Sequence, residues 1–213
     1  LSLQLYSHLL QNGYVKNNNE LEFINKYFYT KLPKYTFENL GFREKLWLYK
    51  AHLWHSFLTQ DFLQSYKYAR KWMDLFAENS KLINLHPVFY LKGKNYLLES
   101  SFFIKNKTSF IKELSYFEKE VEENKITINA NTEILIFQYL YSNKLHLHFL
   151  EATFKEGEYL VEIINNKIDE YRNRLDNHYI IMLYYKIACL YFGMEKNEEC
   201  IFYLQKIIHS KNL

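Results

Sequence analysis

Apolar residues recur along this chain at intervals of three and four with polar residues between them, a period that predicts helices wherever it is sustained. From Ser2 to Asn12, Leu3, Leu5, Tyr6, Leu9 and Leu10 outline a short amphipathic helix, with Gly13 placed to cap its end. Asn17, Asn18 and Asn19 read as a break. Glu20 to Thr30 resumes the period through Leu21, Ile24, Tyr27 and Phe28, and Pro33 stops it. After Gly41 a longer helix begins near Arg43 and carries Leu46, Trp47, Leu53, Trp54 and Phe57 as far as Thr59 and Gln60. Asp61, with Gln64 three residues on, reads as the N-cap of a helix whose face is Phe62, Ser65, Ala69 and Trp72.

Ala77 to His86 reads as a polar connection, and Pro87 suits the first position of the next helix, where a missing backbone donor costs nothing. Phe89, Tyr90, Gly93, Tyr96 and Leu97 define that helix. After Lys105, Asn106 and Lys107 the period returns with Phe110, Ile111, Leu114, Phe117 and Val121, ending in an acidic face over Glu118 to Glu123. Asn124 to Asn131 alternates too briefly for a strand and reads as a connection. Thr132 to Phe154 is the longest predicted helix, with Ile134, Phe137, Tyr141, Leu145 and Ala152 along one side and Gly157 marking its end. Tyr159, Leu160, Ile163, Ile164, Ile168 and Tyr171 supply an amphipathic partner. A last pair starts near Asp176 and is folded back on itself at Glu195, Lys196 and Asn197.

Composition agrees with this reading. The 213 residues include 20 Tyr and 17 Phe but five Gly and two Pro, which argues against disorder and against a fold of many tight-turned strands. Twenty-seven basic and 24 acidic residues, interleaved, give a net charge of +3 and no strong electrostatic claim on nucleic acid or an anionic membrane. No apolar run approaches the ~20 residues that span a bilayer. The chain opens on Leu1-Ser2-Leu3 without an initiator Met or a leader pattern, so a piece of a longer protein is expected. Cys189 and Cys200, both within helical patterns, fit a reducing, cytoplasmic setting, and the wealth of Asn, Lys, Ile, Tyr and Phe suggests an AT-rich, bacterial genome.

The segments 43–77, 86–123, 132–172 and 178–209 each read helix, turn, helix, a period of roughly 40 to 50 residues in the range of helical solenoids. The last is similar to a tetratricopeptide unit on Tyr184, Ile187, Ala188, Tyr191, Asn197, Cys200, Leu204, Ile207 and Ile208, with Cys200 and Ile207 where alanine is usual and Asn197 where an aromatic is usual. Asp61 to Trp72 resembles the second helix of such a unit, with Ser65 at its small position but Trp72 far too big for the small residue expected there. Ala51 with Trp54, and Gly93 with Tyr96, resemble the small and aromatic pair of a first helix. The resemblance implies an all-α fold over residues 1–213, a right-handed α-α superhelix of about four helix pairs plus N-terminal helices.

It also implies a concave surface lined by the first helices, where a protein or peptide partner would lie. The residues next to the packing positions there are Leu48, His52 and His55, then Tyr90, Lys94 and Leu97, then Tyr185, Cys189 and Phe192. The bland alternative is that these face the core or are covered by a further helix. The resemblance thus implies a non-catalytic interaction scaffold, the sensing or docking half of a longer regulatory protein.

Other chemistry is sparse. His52 and His55 share a helix face but lack the third and fourth ligands that zinc needs, and His146 and His148, two apart, diverge. Cys189 and Cys200 fit small core positions better than a redox pair. Glu118, Glu120, Glu122 and Glu123 read as a solvated face. No phosphate loop, nucleophile elbow or His-Glu-X-X-His is present, and no metal, cofactor or catalytic residue is assigned. An RNA-binding repeat would draw on Lys31, Lys34, Arg43, Lys45, Lys50, Lys67, Arg70 and Lys71 with neighbouring aromatics, yet those aromatics are needed as core. A helical enzyme would need a deep pocket of convergent titratable groups.

Overall fold

Five of the helices start at a short polar side chain that turns back onto the first turn. In the computed structural model, which describes residues 2–32 and 39–212, Asn17, Asp61, Asn106, Asn129 and Asp176 each accept a hydrogen bond from a backbone N–H of the helix that follows. Every regular element among the described residues is helical, so the fold is all-α. Pro33 and Lys34 lie outside the described residues.

The first compact unit covers Leu1–Ile104. It contains α1 (Ser2–Leu9), α2 (Asn18–Lys31), α3 (Phe42–Leu58), α4 (Phe62–Ala77), α5 (Lys81–Leu85) and α6 (Pro87–Phe103). Helix α3 packs on α1 and α4, and α4 packs in turn on α6. The second unit covers Lys105–Leu213 and contains α7 (Lys107–Glu122), α8 (Ala130–Glu151), α9 (Tyr159–Glu170), α10 (Asn177–Gly193) and α11 (Asn197–Ile208). There α8 meets α7, α9 and α10, and α10 meets α11 most extensively. The boundary divides the helix pair expected at 86–123, placing α6 in one unit and α7 in the other.

Two kinds of helix build each unit. Helices α3, α6, α8 and α10 bury residues around most of their circumference, as Leu46, Leu48, Tyr49, Ala51 and Leu53 show on α3. Helices α4, α7, α9 and α11 bury a single stripe, Phe110, Leu114 and Phe117 on α7 being one case. Trp72 on α4 is fully buried, and its Nε1 donates to the Phe89 carbonyl at 3.1 Å. Gly93 on α6 makes room for it: a Cβ there would lie 2.6 Å from Trp72 Cδ1.

Several boundaries differ from the sequence pattern, each for a local reason. Helix α1 ends at Leu9, and Gly13 does not cap it, since no glycine takes the left-handed backbone that such a cap uses. Asn17 starts α2 instead of breaking the chain, accepting from the Glu20 N–H, so Asn18 and Asn19 are helical. The connection over Ala77–His86 contains the short α5. Helix α8 stops at Glu151 because Ala152 itself adopts the left-handed conformation, with φ 55°, so Ala152 is its cap and not part of its apolar side. The connection expected over Asn124 to Asn131 is shorter, residues 124–129, anchored by the buried Ile126, because Asn129 caps α8 and Ala130 and Asn131 are its first turn.

Candidate partner-binding surface

The nine residues proposed from sequence as a groove divide between the two units. In the first unit, Leu48, His55, Tyr90, Lys94 and Leu97 are interior, because α3 and α6 are packed on more sides than a single amphipathic stripe would require. Lys94, 1% exposed, holds its Nζ 5.6 Å from the centroid of the Tyr90 ring. His52 is half-buried and lies flat on Tyr68, with ring centroids 4.0 Å apart. Phe28 stands edge-on to His52 at 5.0 Å and stacks on His55 at 4.1 Å, so four rings run continuously from α4 through α3 to α2.

The position of these imidazoles fixes their chemistry. His55 Nε2 donates to Asn25 Oδ1 at 2.9 Å. Burial lowers His55 to about 4 despite the opposing pull of Asp61. Burial likewise lowers His52 to about 4, with His55, Lys71 and Lys67 adding repulsion. Both rings are therefore neutral at pH 7 and act as aromatic packing. Among the described residues no group of three or more His, Cys, Asp or Glu side chains is arranged to hold a metal ion.

A second aromatic cluster lies on the opposite turn pattern of α3, where Trp47, Lys50 and Trp54 share a face with Tyr6 of α1. Lys50 Nζ sits 4.2 Å from the Tyr6 centroid and 4.9 Å from that of Trp47. Burial, with added repulsion from Lys92, lowers its amine to about 8. Of the other cations considered for RNA, Lys67 and Lys71 lie over Tyr68, and Arg70 donates to the Tyr66 hydroxyl at 3.2 Å.

In the second unit the expected residues are open. Tyr185 is 53% exposed, Phe192 is 70% exposed, and Cys189 between them is half-buried. With Met182 they follow a three-four-three spacing, the spacing of a helix face built to meet another helix. Burial raises the Cys189 thiol, against a hydrogen bond from Tyr185 that lowers it, so it is a weak nucleophile at pH 7. The adjacent α11 adds Ile201, Leu204 and Ile208, again three and four apart and all exposed.

Sequence reasoning missed Met182, Ile201 and Ile208. A signal for them existed: from Asn177 to Gly193 the only Lys, Arg, Asp or Glu is Lys186, so α10 has almost no charge with which to solvate an outer face. Lys186 itself is buried and donates to Ser142 Oγ on α8, leaving the outer face of α10 without a formal charge.

A hollow of about 400 Å³ lies beside Phe154, Glu158, Met194 and Lys196, where Glu158 and Lys196 are paired with each other at 2.5 Å. No helix among the described residues is long and apolar enough to cross a membrane. No protein-family model, curated protein or solved structure matches the chain.

Proposed function

We propose that this chain is a divergent tetratricopeptide-like α-solenoid that acts as a non-catalytic scaffold, binding an apolar helix or peptide of a partner protein. The observation that carries the proposal is the uncharged strip of Met182, Tyr185, Cys189 and Phe192 on α10, flanked by Ile201, Leu204 and Ile208 on α11. Contiguous exposed apolar residues at heptad-like spacing are costly in water and favourable against a second amphipathic helix. Burying an aromatic such as Phe192 or Tyr185 at the centre of such a contact contributes about 2 kcal/mol or more.

The surface chosen is narrower than the groove expected from sequence. Leu48, His55, Tyr90, Lys94 and Leu97 support the first unit from inside, so the binding role rests on Tyr185, Cys189 and Phe192 with their neighbours on α11. The test is capture of binding partners from the native extract with the wild-type chain and with the double variant Tyr185→Glu, Phe192→Glu. A protein retained by the wild type and lost from the variant, with helical circular dichroism unchanged, is the expected result. Equal capture by both, or capture of nucleic acid alone, would overturn the proposal.

A further inference from the structure

The apolar face that α10 leaves open among the described residues keeps its layout when the helix is turned end for end. Met182 and Phe192 lie five residues to either side of the buried Ile187, and Tyr185 and Cys189 lie two to either side. Two such helices packed antiparallel about a two-fold axis level with Ile187 therefore set Met182 against Phe192 and Tyr185 against Cys189, each contact occurring twice. Each contact joins unlike shapes: a flexible thioether meets an aromatic ring, and a large ring meets a small thiol. A slip of seven residues in either direction carries Phe192 or Met182 past the end of the contact, so the centred register buries the most apolar surface.

Charge and hydrogen bonding fit the same arrangement. A face that meets its own copy brings any charge near the axis against an identical charge, and α10 has none to bring: its one charged residue, Lys186, is turned inward to Ser142. Formal charges return only beyond the helix ends, at Asp176, Glu195 and Lys196, and Lys196 is held by Glu158. The polar group that the contact would bury, the Tyr185 hydroxyl, already has a partner in its own chain, the Cys189 thiol one turn on. Its burial leaves no unmet donor.

We propose that in the free protein this face is covered by the same face of a second copy, through an antiparallel contact of α10 with α10. The inference rests on the reading of the strip as a docking surface and names what occupies it when no partner is bound. A strip one helix wide buries less than the about 1,200 Å² of a standard interface, so the pair dissociates on dilution and yields to a tighter partner.

The test is sedimentation of the full chain over roughly 1 to 200 μM, where a concentration-dependent dimer is expected. Phe192→Glu and Met182→Lys, both at exposed positions and checked for unchanged helical circular dichroism, should each weaken the dimer about tenfold or more. Mixed in equal amounts, the two variants should recover it. One side of the mixed pair then sets the new carboxylate against the new ammonium, and the other keeps the native contact of Met182 with Phe192. A parallel pair brings neither match. A monomer at every concentration, a dimer indifferent to both substitutions, or a mixture no tighter than the separate variants would overturn the proposal. A monomer whose capture of a partner still depends on Tyr185 and Phe192 would remove the second copy and leave the docking reading standing.

Discussion

Trp72 and Gly93 form a matched pair: the largest side chain on α4 occupies the space that any side chain on α6 would need. A Cβ at Gly93 would fall 2.6 Å from Trp72 Cδ1 and 2.8 Å from Met73 Sδ, both within a packed interior. Trp72 stands where the tetratricopeptide resemblance calls for a small residue, and here the small residue is on the opposing helix. Helix α4 and helix α6 reach close packing by exchanging the roles of large and small.

Gly93→Ala is accordingly expected to destabilise the first unit by about 1–3 kcal/mol, although alanine favours helix over glycine by about 1 kcal/mol. Urea unfolding followed by tryptophan fluorescence measures it. A Gly93→Ala protein as stable as wild type or more so would show that Trp72 can shift without cost.

The two imidazoles on α3 make stability depend on pH in a definite direction. Both fall from an ordinary 6.5 to about 4 on folding, so between those values the unfolded chain binds more protons than the folded one. Stability is therefore full above 6.5 and declines as pH falls toward 4. With solvent screening allowed for, the two together should account for on the order of 3 kcal/mol. The check is the pH dependence of urea unfolding in wild type and in His52→Phe; a slope in that window unaltered by the substitution would count against the assignment.

The outer strip of α10 and α11 predicts a separation between stability and surface behaviour. Phe192→Glu and Ile208→Glu should each change stability by no more than about 0.5 kcal/mol, since neither side chain is part of the core. Both should lower the fluorescence of a bound naphthalene sulfonate dye, which reports exposed apolar surface. Marked unfolding of either variant would place the strip in the interior instead.

Asn129 offers a test of local determination. Its Oδ1 accepts from the Asn131 and Thr132 N–H groups, while Thr132 Oγ1 accepts from the Asn129 N–H at 2.8 Å. Asn129→Ala should cost about 1–2 kcal/mol and Asn129→Ser much less, measured by thermal unfolding. Equal losses in the two variants would mean that the cap contributes little.

The helices and much of their punctuation are legible in the residue pattern. Periodic apolar residues specify a helix, and Asp61, Pro87 and Asp176 sit at helix starts because their effects act within a single turn. The misread boundaries are also local, but they turn on a competition between uses of the same residue: Asn17 serves as a cap where it read as a break, and Ala152 takes a left-handed conformation that alanine seldom adopts.

Which residues face outward depends instead on how the helices pack. On α3 and α6 a position next to the packing stripe is still interior, because a helix covered on several sides has no free face, and this placed His55, Tyr90, Lys94 and Leu97 inside. On α10 the same relative positions, Tyr185, Cys189 and Phe192, remain open because α8, α9 and α11 cover the rest of the helix and leave that strip uncovered. Sequence spacing fixes the angle of a side chain around its own axis, whereas exposure depends on which other helices arrive at that angle.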